Sequence, residues 1–597
     1  MDWLKFIGFI FICVYPVGYL VLSGLIKPVD RRLAASIALG LFTVSLEIYI
    51  VGIFGWYSLS VPLVLLQGPV AWLIIITKKD SAQKKFFKIP AVAWLFIIIA
   101  LYTNSLLLVP FGQETKAGIS LYGAHYVDST WHLSLVNNLI KSVPPENPIY
   151  SGTKLSSYHY LVDLQISLIH QTTGIPVPKL YFYFIGPLYL LLLTVLIYRL
   201  SYSMTKSILS GISAVTLLQL GSNIYYLFGS NPSIAWIDFF STKVVNYPLL
   251  FSLILILIFL EAVSTKLTYG NEILLGLLSG ALFMVKSHTA LVWIVALIVY
   301  DLYRFATKHY THLFSLVTTL IVLSVLYFST VGSGQVLAFS PLWFIKTMYE
   351  SPDRLNGSWW ELSRQTLIAA NSHLGIIKLY LIGFTTFFAV NFHILIAGLT
   401  VRKLPKIYTV MALIGIIIPM LFIQRGAAWN SIQFTYPVFI PLIIGFSLLI
   451  AKVYLKNRMV GLLFFIVIFA GLLPGNTYIA RQYISYAGKQ NISSELVSLI
   501  KFLKDLPENS IIVDETFRSG SVIQAYSGKS LYLGDRQMLE SLSINTVDRD
   551  ERSSRIINCR IIDPDIDYAV ISSDSNQIKK CATLLKSFDS ILVYQFN

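Results

Sequence analysis

Charged residues are scarce: Asp, Glu, Lys and Arg make up 13% of the 597 residues, where a soluble globular chain carries about 25%. With 55% hydrophobic residues, the chain cannot cover a water-facing surface, and it reads as a polytopic membrane protein. Cysteine is nearly absent. Three residues, Cys13, Cys559 and Cys581, exclude a disulfide scaffold and offer no zinc spacing. Cys13 sits in an apolar run; Cys559 and Cys581 lie in the C-terminal tail and either pair, if the tail is outside, or stay thiols. The tail lacks a Walker loop and a GxGxxG. No internal repeat is evident. No small-residue cleavage site follows the first apolar segment, which is expected to stay as a span. Acids are fewer than bases, 30 against 45, for a net charge of +15. That excess is not a nucleic-acid surface, because the basic residues cluster briefly between apolar runs, where they set orientation.

What is abundant is apolar runs long enough to cross a bilayer. Fourteen spans are expected, at about 4–26, 33–55, 58–77, 90–110, 179–200, 207–228, 246–263, 272–287, 288–303, 313–331, 374–400, 407–424, 432–451 and 459–474. Every odd span exits into a basic loop: Lys27, Arg31 and Arg32 after the first, Lys78, Lys79, Lys84, Lys85 and Lys88 after the third, Lys452, Lys456 and Arg458 after the thirteenth. Those loops are therefore expected to be cytoplasmic, with the N-terminus and the tail from 475 external. Splitting 272–303 keeps its flanking basic loops on one side.

On this topology the long stretch 111–178 is an external loop. Trp131, Leu135, Leu139 and Ile140 make one helical stripe within 129–142, which VPPENP stops. Leu161, Leu164, Leu168 and Ile169 make a second within 159–172, stopped at Gly174. Both read as interfacial helices lying on the membrane. Other external pieces are 229–245, 332–373 and 425–431, the second a candidate mobile lid carrying Trp343, Trp359 and Trp360. In the tail, SIIVDE, KSLYLG, DYAVISS and ILVYQF read as strands, and SSELVSLIKFLKDL and NQIKKCATLLKSF as helices, giving a small α/β domain. Three regions follow: additional N-terminal spans over 1–89, a transmembrane domain over 90–474, and an external α/β domain over 475–597.

Several ionisable groups fall at the external ends of spans: Asp128, Asp238, Lys243, Lys286, His288 and Arg425. Such groups at membrane depth are costly and usually functional. A carboxylate can deprotonate a hydroxyl or hold a divalent metal, and Lys and Arg can neutralise a phosphate. Plainer readings stand beside these. Asp128 precedes a helix and can be its N-cap. His132 and Asp163 read as helix-face residues, Asp163 solvated. Asp238 can be a loop acid, Lys286 and His288 can snorkel to water, Arg425 can be an interfacial anchor, and His159, between Tyr158 and Tyr160, can belong to an aromatic belt.

The pattern resembles the integral-membrane glycosyltransferases of the GT-C fold, which use polyprenyl-phosphate sugars and include protein O-mannosyltransferases and lipid A aminoarabinose transferases. The resemblance rests on the acid early in VDSTWHLSLVNNLI, the second loop helix HYLVDLQISLIH, the PPENP break and YHY triplet between them, the many later spans and the α/β tail. It implies a GT-C-like helical fold and an inverting transfer from a polyprenyl-phosphate donor to a hydroxyl of a glycan, lipid or protein acceptor at the outer face of a cell membrane. Asp128 would be the general base. Asp238 would assist or, with Asp128, bind Mg or Mn. Lys286 and Arg425, with His288 and Lys243, would hold the donor phosphate, and His132, Tyr158 and His159 would line the site. Ser129 stands where some members carry a second acid, which bears on metal use. A transporter or flippase of a lipid-linked glycan would instead put charges mid-span and show a repeat; a non-catalytic envelope assembly protein would tolerate loss of Asp128.

Overall fold

The computed structural model describes residues 1–26, 33–77, 88–116, 118–156, 158–221, 239–265, 267–309, 312–330, 337–350, 357–390, 392–425, 428–487, 489, 492–515, 521–572 and 577–597. The apolar runs form helices, the conformation that satisfies backbone hydrogen bonds within one segment when lipid supplies none. Among the described residues seven helices are long and apolar enough to cross a membrane: Asp2–Leu25, Leu33–Ile53, Tyr57–Thr77, Val177–Thr205, Ser287–Ala306, Ala428–Lys456 and Arg458–Tyr486. Each of the other expected runs carries a shorter apolar helix of 10–17 residues. The run 272–303 is broken as expected: one helix ends at Val285, the next begins at Ser287, and Lys286 between them is extended (φ −159°, ψ 106°). The final helix does not stop at 474 but continues to Tyr486, because Pro474 is accommodated within it and no residue before Ala487 leaves the helical conformation.

Small residues let helices approach closely where no water drives them together. A Cβ on Gly18 would lie 1.7 Å from Ser36 O and 2.4 Å from Gly40 N, so the helices Tyr15–Leu25 and Leu33–Ile53 touch backbone to backbone. This N-terminal group does not stand apart. Tyr49 packs on Tyr160, Gln171 Nε2 donates to Tyr57 Oη at 2.9 Å, and Lys179 pairs with Asp2 at 2.7 Å.

The loop helices form at Thr130–Leu139 and Leu161–Thr173. Their stripes are buried as expected, but so are their polar faces: every residue of Leu161–Ile169 is buried, and so are Ser134 and Asn138. They are therefore not helices resting on a membrane surface. Leu161–Thr173 packs under the N-terminal spans, and Thr130–Leu139 packs against Val522–Ser527 of the tail.

The tail sheet runs Ser530–Leu531, Ile511–Asp514, Tyr568–Ser572, Ile591–Phe596, Ala582–Ser587, parallel across the first three and antiparallel across the last three. The expected helix over NQIKKCATLLKSF is not formed. Only Gln577–Lys580 is helical, and Ala582–Ser587 is an edge strand. Pairing with Ile591–Phe596 overrides a helical pattern too short to stand alone. Cys559 and Cys581 form a disulfide. Helices at Val522–Ser527, Arg536–Ser541 and Val547–Ile557 had no distinctive sequence signal.

Tail and loop are stitched together. Ile119 pairs with Ile492 and Gly118 with Ser493; Leu531 N donates to Pro148 O, and Ser151 N to Leu531 O, both at 3.0 Å. Arg549 stacks on Tyr150 and Tyr532 (3.7 and 4.7 Å to the ring centroids) and donates to Tyr532 O and Ser151 O at 2.7 and 2.8 Å. Arg549→Ala removes two ring contacts and two hydrogen bonds, an expected loss of about 2 kcal/mol at this junction. Hydrogen exchange should then rise at 148–151 and 530–534 and stay unchanged in the spans.

Candidate active site

Residues 125–129 form a wide helical turn ahead of Thr130–Leu139. His125 fixes it: Nε2 donates to Leu107 O at 2.6 Å, and Nδ1 accepts from Ser129 Oγ at 2.8 Å. Burial pushes the His125 imidazole down to about 4, consistent with the neutral ring this pairing requires. Asp128 projects from that turn, half-buried. It does not cap the helix; the N-cap position is Ser129, and no side chain makes a capping bond.

Facing this turn is a buried polar cluster. His132 Nδ1 donates to both carboxylate oxygens of Asp163, at 2.9 and 3.1 Å. Asp163 is 1% exposed and His132 4%, so the expectation of a solvated Asp163 is corrected. The helix carrying it is enclosed by protein, and its polar face meets His132 rather than water. Lys286, also buried, donates from Nζ to His159 Nε2 at 3.4 Å. Burial, then the Lys286 charge, hold the His159 imidazole well below its usual range, so the ring is neutral and free to accept. Tyr158 stacks on His159 (4.7 Å, 13°) and meets Trp131 edge-on at 5.5 Å.

Burial raises the Asp128 carboxyl above the ordinary carboxylate range, and the charges of His132 and then Lys286 draw it back. Burial likewise raises Asp163, countered first by His132 and more weakly by Lys286. The Asp128 carboxyl, the Lys286 amine, the hydrogen-bonded His132–Asp163 pair and the His159 imidazole thus occupy a common site. It lies where the loop meets the break between two apolar helices.

The second of those helices opens at Ser287, so its positive end faces the same region. His288 Nε2 bonds Gln424 Oε1 at 2.9 Å, and Gln424 N donates to Ser431 Oγ at 2.9 Å. His288 Nδ1 is buried with no hydrogen-bond partner among the described residues. Gln424 ends a strand, Phe422–Gln424, paired with Leu337–Phe339, so this strand of the expected lid is tied to this side of the site.

Of the residues singled out by sequence, the fold brings together Asp128, His132, Tyr158, His159, Lys286 and His288. Lys243 is fully buried in the helix Phe239–Val245, which packs against the turn 125–129. Arg425 is exposed, one residue beyond the partner of His288. Asp238 lies outside the described residues. Sequence reasoning missed Asp163 as a site residue, and missed Gln424. A lone acid on a helical polar face looks the same whether the face is wet or packed.

Among the described residues no three His, Cys, Asp or Glu side chains converge as metal ligands. Asp163 is committed to His132, and the Lys286 charge acts on Asp128. Asp238, the second acid expected at a metal, lies outside the described residues, and no step below passes through a metal.

No protein-family model and no curated protein sequence matches the chain. Similar solved structures include an Archaeoglobus fulgidus oligosaccharyltransferase in complex with Zn and sulfate, at 12% identity and TM-score 0.45, covering 80% of this chain and 68% of that one. The Archaeoglobus fulgidus oligosaccharyltransferase AglB, in complex with an inhibitory peptide and a dolichol-phosphate, gives 11% and 0.44 over 81% and 69%. ArnT from Cupriavidus metallidurans, bound to undecaprenyl phosphate, gives 11% and 0.44 over 85% and 98%.

Proposed function

We propose that this chain is a membrane glycosyltransferase of the GT-C type, moving a sugar from a polyprenyl-phosphate donor to an acceptor hydroxyl. The observation that carries the reading is Asp128 and buried Lys286 in one site at the end of two apolar helices. A donor anchored in the bilayer presents its phosphate at that depth. Lys286 and the N-terminal end of Ser287–Ala306, with His288 beside them, offer positive charge to the phosphate. Lys243 and Arg425 add charge nearby. Asp128, half-buried, takes the proton of the incoming hydroxyl. The hydroxyl oxygen bonds the anomeric carbon as the carbon–oxygen bond to phosphate breaks, and the phosphate leaves with the electron pair. Attack opposite the leaving group inverts the anomeric centre. His132, Tyr158 and His159 line the site. No charge pair of this kind is needed for a non-catalytic assembly protein, and a flippase would not need a base.

We place the site on the external face. The Cys559–Cys581 disulfide supports that side, since such bonds persist in oxidising compartments. Protease added to intact cells should therefore remove the tail from 492 on; protection of the tail in intact cells and its loss only after permeabilisation would reverse the topology. The reading itself is tested with purified protein and a panel of polyprenyl-phosphate sugars. Consumption of one donor with release of polyprenyl phosphate supports transfer. Binding of donors without consumption, alongside movement of donor across vesicles, would favour a flippase.

A further inference from the structure

We propose that His288 is a specificity-determining residue of this transfer: its Nδ1 meets a hydroxyl of the donor sugar, while the donor phosphate lies on Lys286. The inference deepens the reading of the chain as a polyprenyl-phosphate-sugar transferase and rests on it.

The ring of His288 is held on two sides. Nε2 donates to Gln424 Oε1 at 2.9 Å. Gln424 is fixed in turn by the bond from its backbone N to Ser431 Oγ, also 2.9 Å, and by the pairing of its strand with Leu337–Phe339. Phe434 packs against the ring, 4.7 Å between centroids. An amide oxygen only accepts, so the ring carries its hydrogen on Nε2. Nδ1 is the atom left over. It is buried with no hydrogen-bond partner among the described residues, in a residue 8% exposed. A buried polar atom left unpaired is costly, and a group that arrives with the ligand would relieve that cost.

The chemistry around Nδ1 selects the group. With the hydrogen on Nε2, Nδ1 offers a lone pair, and the partner of a lone pair is a donor. An ionised phosphate has no proton to give; a sugar hydroxyl has. A second proton on the ring would set an imidazolium two residues from the buried Lys286 ammonium, with no carboxylate bonded to either ring nitrogen among the described residues. The wall that holds the ring is of the same kind. Residues 422–438 carry one cation, Arg425, and it is exposed. Amide, hydroxyl and aromatic groups make the contacts, and Trp429 of that stretch meets Trp343 at 5.6 Å. A few directional hydrogen bonds among aromatic faces suit a hydroxylated ring, whereas a phosphate calls for charge. Position agrees. His288 follows Lys286 by two residues across the helix break and lies close enough to His159 to influence it, as Lys286 does. The sugar is joined to the phosphate, so a phosphate on Lys286 brings the sugar beside this ring.

The test is equilibrium binding to full-length protein in nanodiscs, with polyprenyl phosphate and its hexose and pentose conjugates as probes. His288→Gln can still reach Gln424 but puts no atom where Nδ1 stands. It should weaken the conjugate that wild type binds best about tenfold and leave bare polyprenyl phosphate unchanged. His288→Asn, whose amide stands near Nδ1, should recover part of that loss, which a merely structural role would not do. Lys286→Met, by contrast, should weaken both kinds of probe. Equal weakening of both by His288→Gln puts the ring on the phosphate and overturns the inference. Unchanged binding of both leaves a packing contact only and overturns it as well. If His288→Gln does not yield folded protein, Gln424→Leu decides, because releasing the ring should weaken the conjugate and spare bare polyprenyl phosphate. If wild type binds no conjugate more tightly than bare polyprenyl phosphate, this inference falls alone; if it binds neither, the donor reading falls with it.

Discussion

Asp128→Asn should abolish sugar transfer, with kcat falling at least about a thousandfold, the upper part of the range for a lost general base, while the donor is still bound. The substitution is nearly isosteric and leaves the turn intact, because His125, Ser129 and Leu107 hold it without, among the described residues, any bond from the Asp128 side chain. Removing a carboxylate whose burial already disfavours its charge should not unfold the protein; the melting temperature should hold or rise slightly. The check is single-turnover transfer together with donor binding at equilibrium. Wild-type turnover by the variant would remove Asp128 as the base and shift attention to the His132–Asp163 pair and to His159 in the same site.

Lys286→Met should show the complementary phenotype. Truncating a buried, hydrogen-bonded charge costs about 3 kcal/mol, or roughly a hundredfold weaker donor binding. Binding of the uncharged polyprenol should barely change, since that part of the ligand never met the ammonium. Methionine keeps the apolar length of the side chain, so the break between Tyr269–Val285 and Ser287–Ala306, which is a backbone feature, should persist. Lys286→Arg should recover only part of the affinity, because a planar fork cannot occupy the site of a compact ammonium already held against His159. If donor affinity is unchanged in Lys286→Met while Asp128→Asn is inactive, the phosphate sits on Lys243 or Arg425 instead.

Much of the architecture was legible because lipid imposes simple rules. Apolar runs had to be helices, and basic clusters marked their ends, so even the break at Lys286 could be placed by orientation charge alone. The strands SIIVDE, DYAVISS and ILVYQF were legible from β-branched alternation and reappear as Ile511–Asp514, Tyr568–Ser572 and Ile591–Phe596. ATLLKS was not, because its apolar pair suits a helix as well as an edge strand, and only the partner strand decides. The loop helices were legible as helices but not in their surroundings. Their stripes announce one buried face, and nothing in the local sequence announces that the N-terminal spans and the tail bury the other. That is why Asp163 looked solvated and His132 looked incidental, whereas Asp128, Lys286 and His288 stood out against apolar neighbours.

The stitching of tail to loop bears on how the molecule comes into being. Ser120 bonds Tyr486 across 366 positions of chain, and Arg549 reaches Ser151 across 398. A ribosome delivers the loop long before its partners exist, so Thr130–Leu139 must wait, with one flank uncovered, through the insertion of most of the later helices. Contacts this distant in sequence form last and slowly. The site is therefore completed from the far end of the polypeptide, and a nascent or prematurely terminated chain carries Asp128 and Lys286 but no finished place for them to work.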